Sequence, residues 1–295
     1  MSMHYVEDLA YQLRCDVVKV LAKVGSGHLG GCLSSADIVA TLFGSGFLKK
    51  ENINQRAVYP FVLSVGHLAP LLYSALARMG EFPLEELWTL RQLGSRLQGH
   101  PSIGHEHDHE ATPGLFCGSG SLGQGLSIAA GMAVARPATS VFVLLGDGEL
   151  QEGQIWEAAM FAAHTKLKNL VAIVDLNGQQ LDGTTLEVMS LSDLAAKWRA
   201  FGWVVYEVNG HSCGALAEAI EKRGQESKPK VILAKTKMGC GIPAIENLSS
   251  WHGKTPSLEQ VQDFLLALEN SYSAIRAQDK LLPLNADLTV NVKAL

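Results

Sequence analysis

VFVLLGDGELQEGQIWEAAMFAAHTKLKNLVAIVDLNGQQLDG, residues 141–183, opens with the apolar, partly β-branched run Val141–Leu145 and reaches a second such run at Leu170–Val174. Between them lies a helix-like stretch. Apolar runs this short, bounded by Gly, predict buried strands, so the unit is βαβ with parallel strands. A right-handed crossover then puts both strand ends at the same edge of the sheet. Asp147 follows the first strand and Asn177 the second, thirty residues on. Two short oxygen-bearing side chains therefore meet at the carboxyl edge, where open α/β sheets bind ligands.

The flanking residues specify the ligand further. Gly146 and Gly148 let backbone approach closely, and the N-terminus of the next helix offers free N–H groups and a positive dipole end, which favour phosphate. An Asp carboxylate, an Asn carbonyl and a loop backbone carbonyl are hard oxygen donors for Mg²⁺ or Ca²⁺, with phosphate oxygens and water completing six ligands. A metal-bridged diphosphate fits these residues. Gly-Asp-Gly alone reads as a tight turn; the paired Asn on the next strand separates the two readings. GDG, thirty residues, then Asn resembles the thiamine diphosphate motif. GDGELQEGQIWEA with VDLNGQQLDG resembles its transketolase version, and EGQIWEA and the LDG end lie outside the minimal motif.

With 295 residues, 47% of them hydrophobic, the chain has the means to bury one large core or two modest ones. Net charge is −5, from 24 basic and 29 acidic residues without a Lys/Arg block, which points to no nucleic acid and no anionic membrane. Five widely spaced cysteines without a CxxC pair argue against a disulfide framework or a zinc site. Glu7, Asp8, Arg14, Asp16 and Lys19 interrupt any apolar signal core, and no run reaches membrane-spanning length. The expected setting is cytoplasmic.

Along the chain, Val6, Leu9, Leu13, Val17, Val20, Leu21 and Val24 recur at helical spacing, predicting a helix over 5–24 that Gly25 stops. GSGHLGG predicts a loop, and Ser34 with Asp37 a capping box opening the helix SADIVATLF. A short strand at Phe61–Ser64, a helix over 71–79 and a helix over 84–97 follow. After the central unit come helices over 191–200 and 214–223, strands over 203–208 and 231–236, and a helix over 257–277; residues 281–295 look like an extended tail. The alternation predicts an α/β fold, a doubly wound parallel sheet flanked by helices. Residues 1–268 form the expected diphosphate-binding domain, and 269–295 the end of a helix with the tail.

Five Gly-His dipeptides stand at 27/28, 66/67, 99/100, 104/105 and 210/211, where 29 Gly and 10 His would give about one by chance. Gly before His suits a tight loop that exposes the imidazole, and several such loops have the means to line one pocket. GHLGGCLSSADI, FVLSVGH and LQGHP resemble the transketolase loops that carry active-site histidines, which fall here on His28, His67 and His100. WHGKTP supplies a fourth at His252; His105 and His211 match no such role. GSGSLGQGLSIAAGMA, residues 118–133, is equally typical of the family. His105, His107 and His109, if extended, would project to one side as metal ligands; a solvated polar loop explains the segment as well.

The resemblance implies thiamine diphosphate and Mg²⁺ (or Ca²⁺) as cofactors, with Asp147, Asn177 and the Gln179 carbonyl on the metal. It puts His67, Gly118, Ser121, Leu122, Gly148, Glu149, Asn177 and His252 at the cofactor. His28, His100 and His252 would hydrogen-bond sugar hydroxyls and shuttle protons, and Glu152 and Glu157 would join a carboxylate network at a subunit interface. It runs from near residue 5 to about 268 and covers only the diphosphate-binding half of a transketolase. The pyrimidine-binding half, with the Glu that activates the ring, is missing. The implied protein is the N-terminal subunit of a split transketolase, moving a two-carbon ketol unit from a ketose phosphate to an aldose phosphate. Its implied partner is a C-terminal pyrimidine-binding subunit, two copies of each chain forming a heterotetramer. Leu29, Val65 and Leu115–Ser119 depart from the family near the expected substrate channel, so a donor such as apulose phosphate or a sulfo-sugar is an alternative. A non-catalytic, transketolase-like regulatory subunit is the other.

Overall fold

The computed structural model describes residues 2–53, 55–104, 110–222 and 227–279. In chain order these form α1 (Met3–Val24), α2 (Leu29–Ser34), α3 (Ala36–Gly44), β1 (Glu51–Ile53), β2 (Arg56–Val58), β3 (Phe61–Leu63), α4 (Ala69–Arg78), α5 (Gly125–Ala135), β4 (Val141–Gly146) and α6 (Gly153–His164). There follow β5 (Leu170–Leu176), β6 (Gln179–Gln180), β7 (Gly183–Thr184), α7 (Thr185–Met189), α8 (Leu194–Ala200), β8 (Val204–Asn209), α9 (Cys213–Glu221), β9 (Lys230–Lys235) and α10 (Gln260–Asp279).

The central sheet has the order β3-β4-β5-β9-β8 and every pairing in it is parallel. All five strands expected from sequence are present, and the doubly wound α/β class is the observed one. Strand side chains alternate between faces. Phe142, Leu144, Val171, Ile173 and Ile232 enter a core with α1, α3, α4, α9 and α10. Val143, Leu145, Ala172, Val174 and Leu233 enter a second core with α5, α6 and α8. Covering both faces explains why these strands are continuous apolar runs rather than alternating ones.

α1 buries Leu13, Val17 and Leu21 and ends as expected at Gly25, whose left-handed backbone (φ 68°) turns its N–H onto the Leu21 carbonyl. Three local expectations fail. Residues 29–31 of the expected GSGHLGG loop open the helix Leu29–Ser34 instead, because Leu29, Cys32 and Leu33 are wholly buried and the turn packs inward. No capping box opens α3: Ser35 is its N-cap without a side-chain bond, and Ser34 Oγ is spent on the Gly31 carbonyl and Asp175. Residues 84–97 hold only a short 3₁₀ turn, Leu84–Thr89. Arg91 and Gly94 then take left-handed backbone (φ 60° and 80°), which no helix continues through. The His105–His109 segment and the 281–295 tail lie outside the described residues. Among the described residues no helix is long and apolar enough to cross a membrane.

Candidate active site at the carboxyl edge of the sheet

β4 and β5 run in register from Val141↔Leu170 to Gly146↔Asp175, so the chain leaves both at one level. Asp147 is buried there, 2% exposed. Its Oδ1 accepts from Gly148 N (2.8 Å) and its Oδ2 from Gly178 N (2.6 Å). This joins the two loops that the sequence pairs. Asn177 Oδ1 accepts from Gln179 N (2.9 Å), and its Nδ2 donates to Asp175 (3.1 Å) and Ser34 (3.3 Å). Burial first, then the charge of Asp175, pushes the Asp147 carboxyl up to about 7. Its hydrogen bonds come from backbone N–H groups, not from a cationic side chain. Among the described residues no group of three His, Cys, Asp or Glu could hold a metal ion. A cation here therefore needs neutral oxygens and oxygens brought by a guest, which is how hard divalent ions are held against phosphates.

The histidines gather above this edge. His28 precedes α2, His67 lies in the 3₁₀ turn Gly66–Leu68 after β3, and His252 follows the turn Ser249–Trp251. Ring centroids are 4.8 Å apart for His28 and His67, 5.6 Å for His28 and His252, and 5.4 Å for His67 and His252. Burial, then the neighbouring His252 and Arg91, lowers His28 to about 4; burial, then His28 and His252, lowers His67 to about 3. His252 is lowered too, by burial. Near neutral pH these are uncharged imidazoles, each able to donate and accept. Nδ1 of both His28 and His252 is buried without a hydrogen-bond partner, as is Ser119 Oγ. Such orphaned atoms fit a polar guest.

His100 is exposed at the rim, and its pKa is lowered by burial and Arg91. The 118–124 loop folds over it. Gly120, at φ 147°, would set a Cβ 3.1 Å from the His100 ring, and a Cβ on Gly66 would lie 2.8 Å from Gly120 backbone. Gly118 lies in this loop, with Ser121 and Leu122 exposed at its tip. Gly148 follows Asp147 directly. Glu149 is 2% exposed and turned into the protein. It accepts from Ser64 Oγ, Gly123 N (2.8 Å) and Gly146 N (3.1 Å), and so fastens this loop to β3 and β4. Glu152 and Glu157 are exposed at the start and on the outer side of α6. Leu29 and Val65 are 0% and 3% exposed and pack in the core, with Val65 Cγ1 2.9 Å from where a Cβ on Gly146 would stand.

Two residues near the site have no role in the sequence motifs. Arg91 lies among Ser26, Gly99 and the histidines; its Nη1 donates to Ser26 Oγ (2.6 Å), and its left-handed backbone has no sequence signal. Asp175 sits two residues before Asn177 on the same strand face. That spacing, and its place inside VDLNGQQLDG, are the signals in the sequence that could have found it.

The family description "Transketolase, thiamine diphosphate binding domain" matches residues 6–269. The chain belongs to the transketolase family. It is 39% identical over 263 residues to the 6-deoxy-6-sulfo-D-fructose transketolase subunit SqwG of Clostridium sp. (strain MSTE9), covering 83% of this chain and 90% of that one. To an apulose-4-phosphate transketolase subunit of Phocaeicola vulgatus it is 36% identical over 273 residues, covering 89% and 93%. The solved transketolase of Campylobacter jejuni superposes with a TM-score of 0.77 at 28% identity, over 95% of this chain and 48% of that chain. The chain spans 43–45% of the length of the mammalian transketolase-like relatives it matches.

Proposed function

We propose that this chain is the N-terminal subunit of a thiamine diphosphate-dependent transketolase, moving a two-carbon ketol unit from a ketose to an aldose together with a pyrimidine-binding subunit. The observation that carries the reading is the placement at one sheet edge of an uncompensated buried carboxylate, Asp147, beneath three neutral histidines with unpartnered ring nitrogens on two of them. Two relatives named as transketolase subunits match over nine-tenths of their length, which supports the two-chain arrangement.

In this reading Asp147, Asn177 Oδ1 and the Gln179 carbonyl hold Mg²⁺ or Ca²⁺, and Gly148 and His67 contact the diphosphate. Once bound, the cofactor supplies the carbanion-stabilising chemistry. The protein's own work is orientation and proton handling. Neutral His28 and His252 donate to or accept from donor hydroxyls, and His100 carries a proton at the rim. Glu149 holds the 118–124 loop in place, and exposed Glu152 and Glu157 fit a contact with the pyrimidine-binding chain. Two-fold symmetry then gives a heterotetramer with two copies of each chain.

A specialised donor is favoured over the common sugar phosphates by the two subunit relatives, whose names give a sulfo-sugar and apulose phosphate. The test is a coupled ketol-transfer assay with thiamine diphosphate and Mg²⁺. The chain alone should be inactive, and adding the pyrimidine-binding chain should restore transfer; robust turnover by the chain alone overturns the two-subunit reading. Running the reconstituted pair on sulfo-fructose, apulose 4-phosphate and xylulose 5-phosphate ranks the donors. No transfer from any of them removes the catalytic reading in favour of a regulatory one.

A further inference from the structure

Asp175 is 2% exposed at the end of β5, and no function in the proposed chemistry falls to it. Its face of the strand is the one that meets the junction of α2 and α3. There its carboxylate collects four donors, three of them from two distant parts of the chain and one from Asn177 two residues on. Oδ2 accepts from Ser34 Oγ (2.5 Å), Ser35 Oγ (2.7 Å) and Asn177 Nδ2 (3.1 Å), and Oδ1 accepts from Thr236 Oγ1. Four hydrogen bonds gathered on one buried side chain outweigh any single turn or cap nearby.

Each donor belongs to a segment that carries a candidate site residue. Ser34 closes the short helix that begins just after His28. Thr236 opens the strap of residues 236–254 that carries His252, and the strap is fastened back onto the same helix by Gly239 N to Gly30 O (3.0 Å) and Leu29 N to Lys254 O (3.3 Å). Asn177 is the strand-end amide itself. With Nδ2 drawn to the carboxylate, Asn177 Oδ1 is directed the other way, towards the Gln179 backbone and the loop joined to Asp147. Rotating the amide would set Oδ1 against an anionic oxygen in a buried site, which is strongly unfavourable.

We infer that Asp175 is a positioning residue: by holding Ser34, Ser35, Thr236 and Asn177 on one carboxylate, it orients the Asn177 carbonyl for a divalent cation and sets His28 and His252 over it. The cation part of this inference rests on the function proposed above. Groups that orient metal ligands without touching the metal are typically worth roughly 10–100-fold in affinity.

The test is Asp175→Asn in the full chain, with Asp16→Asn as a control that weakens another buried carboxylate pair, to Arg78 (2.6 and 2.8 Å), away from the site. Mg²⁺ is titrated calorimetrically at saturating thiamine diphosphate with the pyrimidine-binding subunit present. Asp175→Asn should raise the Mg²⁺ dissociation constant by about 10–100-fold, and Asp16→Asn should leave it within about twofold at a similar loss of melting temperature. In an Asn177→Ala background Asp175→Asn should add little, since both changes act through one amide. An unchanged constant in Asp175→Asn, or a loss matched by the control, overturns the inference. Should Asp175→Asn not fold, Thr236→Val is expected to raise the constant several-fold, and no rise is then the refuting result. A crystal structure of Asp175→Asn decides the orientation without any cofactor: Asn177 should be rotated, and an unmoved amide refutes the inference. Failure of the native pair to bind Mg²⁺ with thiamine diphosphate would instead remove the cofactor reading, with the crystallographic result still standing for Asp175.

Discussion

Asp37 and Asp147 are both buried carboxylates, 7% and 2% exposed, and the chain treats them in opposite ways. Asp37, on α3, is gripped by Arg14 from α1 (3.2 and 2.5 Å) and by His211 Nδ1 (2.8 Å). Burial works against its charge, but Arg14 and then His211 hold it below the ordinary carboxylate range. Asp147 has two backbone N–H groups and a second carboxylate, Asp175, close enough to push it further up. The chain brings its own cation to the first region and leaves the second one short of positive charge. A buried charge without a partner is costly, and proteins keep such groups chiefly where a ligand will answer them. The histidines repeat the contrast. His211 uses both ring nitrogens, to Asp37 and to the Lys237 N–H (2.8 Å), whereas His28 and His252 each keep Nδ1 unpartnered.

The largest expected effect breaks the open side of this comparison. Asp147→Ala removes the one anionic donor proposed for the metal, leaving the diphosphate charge poorly bridged. Cation-dependent binding of thiamine diphosphate by the assembled enzyme should then be abolished. Calorimetry showing native affinity would sink the metal assignment. Next comes His100→Ala, which should lower turnover by roughly 10²–10⁴-fold while cofactor affinity stays nearly native. If binding fell and turnover at saturation survived, His100 would belong with the cofactor contacts instead.

Breaking the satisfied side should cost stability and spare the site. Arg14→Met strands Asp37 in the core, and losing one member of a buried pair typically costs about 3–5 kcal/mol. Urea unfolding of the isolated chain measures it. A loss below about 1 kcal/mol would mean that His211 alone suffices as the counter-charge.

What was legible follows the same division. Strands β4 and β5, the Asp147/Asn177 pair and the four histidines each rest on short-range patterns: apolar runs, Gly before a polar residue, and loop motifs. Asp175 was hidden because its hydroxyl partners Ser35 and Thr236 stand 140 and 61 residues away, and an Asp within VAIVDLN looks like a strand end. Ser34 misled for the same reason, since its hydroxyl serves Asp175 and the Gly31 carbonyl and not the helix that follows it. The 84–97 segment has helix-compatible spacing, but Leu93 is wholly exposed and Arg91 turns left-handed to reach Ser26. A tertiary contact there overrides the local pattern.

The smallest effect is a difference in sign with pH. His28 and His67 have folded pKa values of about 4 and 3 against an ordinary 6.5. Between those limits the unfolded chain takes up protons that the folded chain refuses, so stability from these two rings is complete above about 6.5 and is lost as pH falls toward 4 and then 3. His211 runs the other way. Burial lowers its pKa, but Asp37 and Cys240 outweigh this and push it up to about 9. Its contribution is therefore complete below 6.5 and lost as pH rises through 9. Solvent at the half-buried His28 makes the acid slope shallower than the limiting ~1.4 kcal/mol per pH unit for one proton. Melting temperatures of the native chain, His28→Asn and His211→Gln across pH 4–10 resolve the two limbs. His28→Asn should flatten the acid limb relative to native, and His211→Gln the alkaline one. An alkaline limb that His211→Gln leaves unchanged would mean that the Lys237 N–H keeps Nε2 unprotonated throughout. His211 would then be a neutral bridge, and Arg14 the whole of the charge that Asp37 receives.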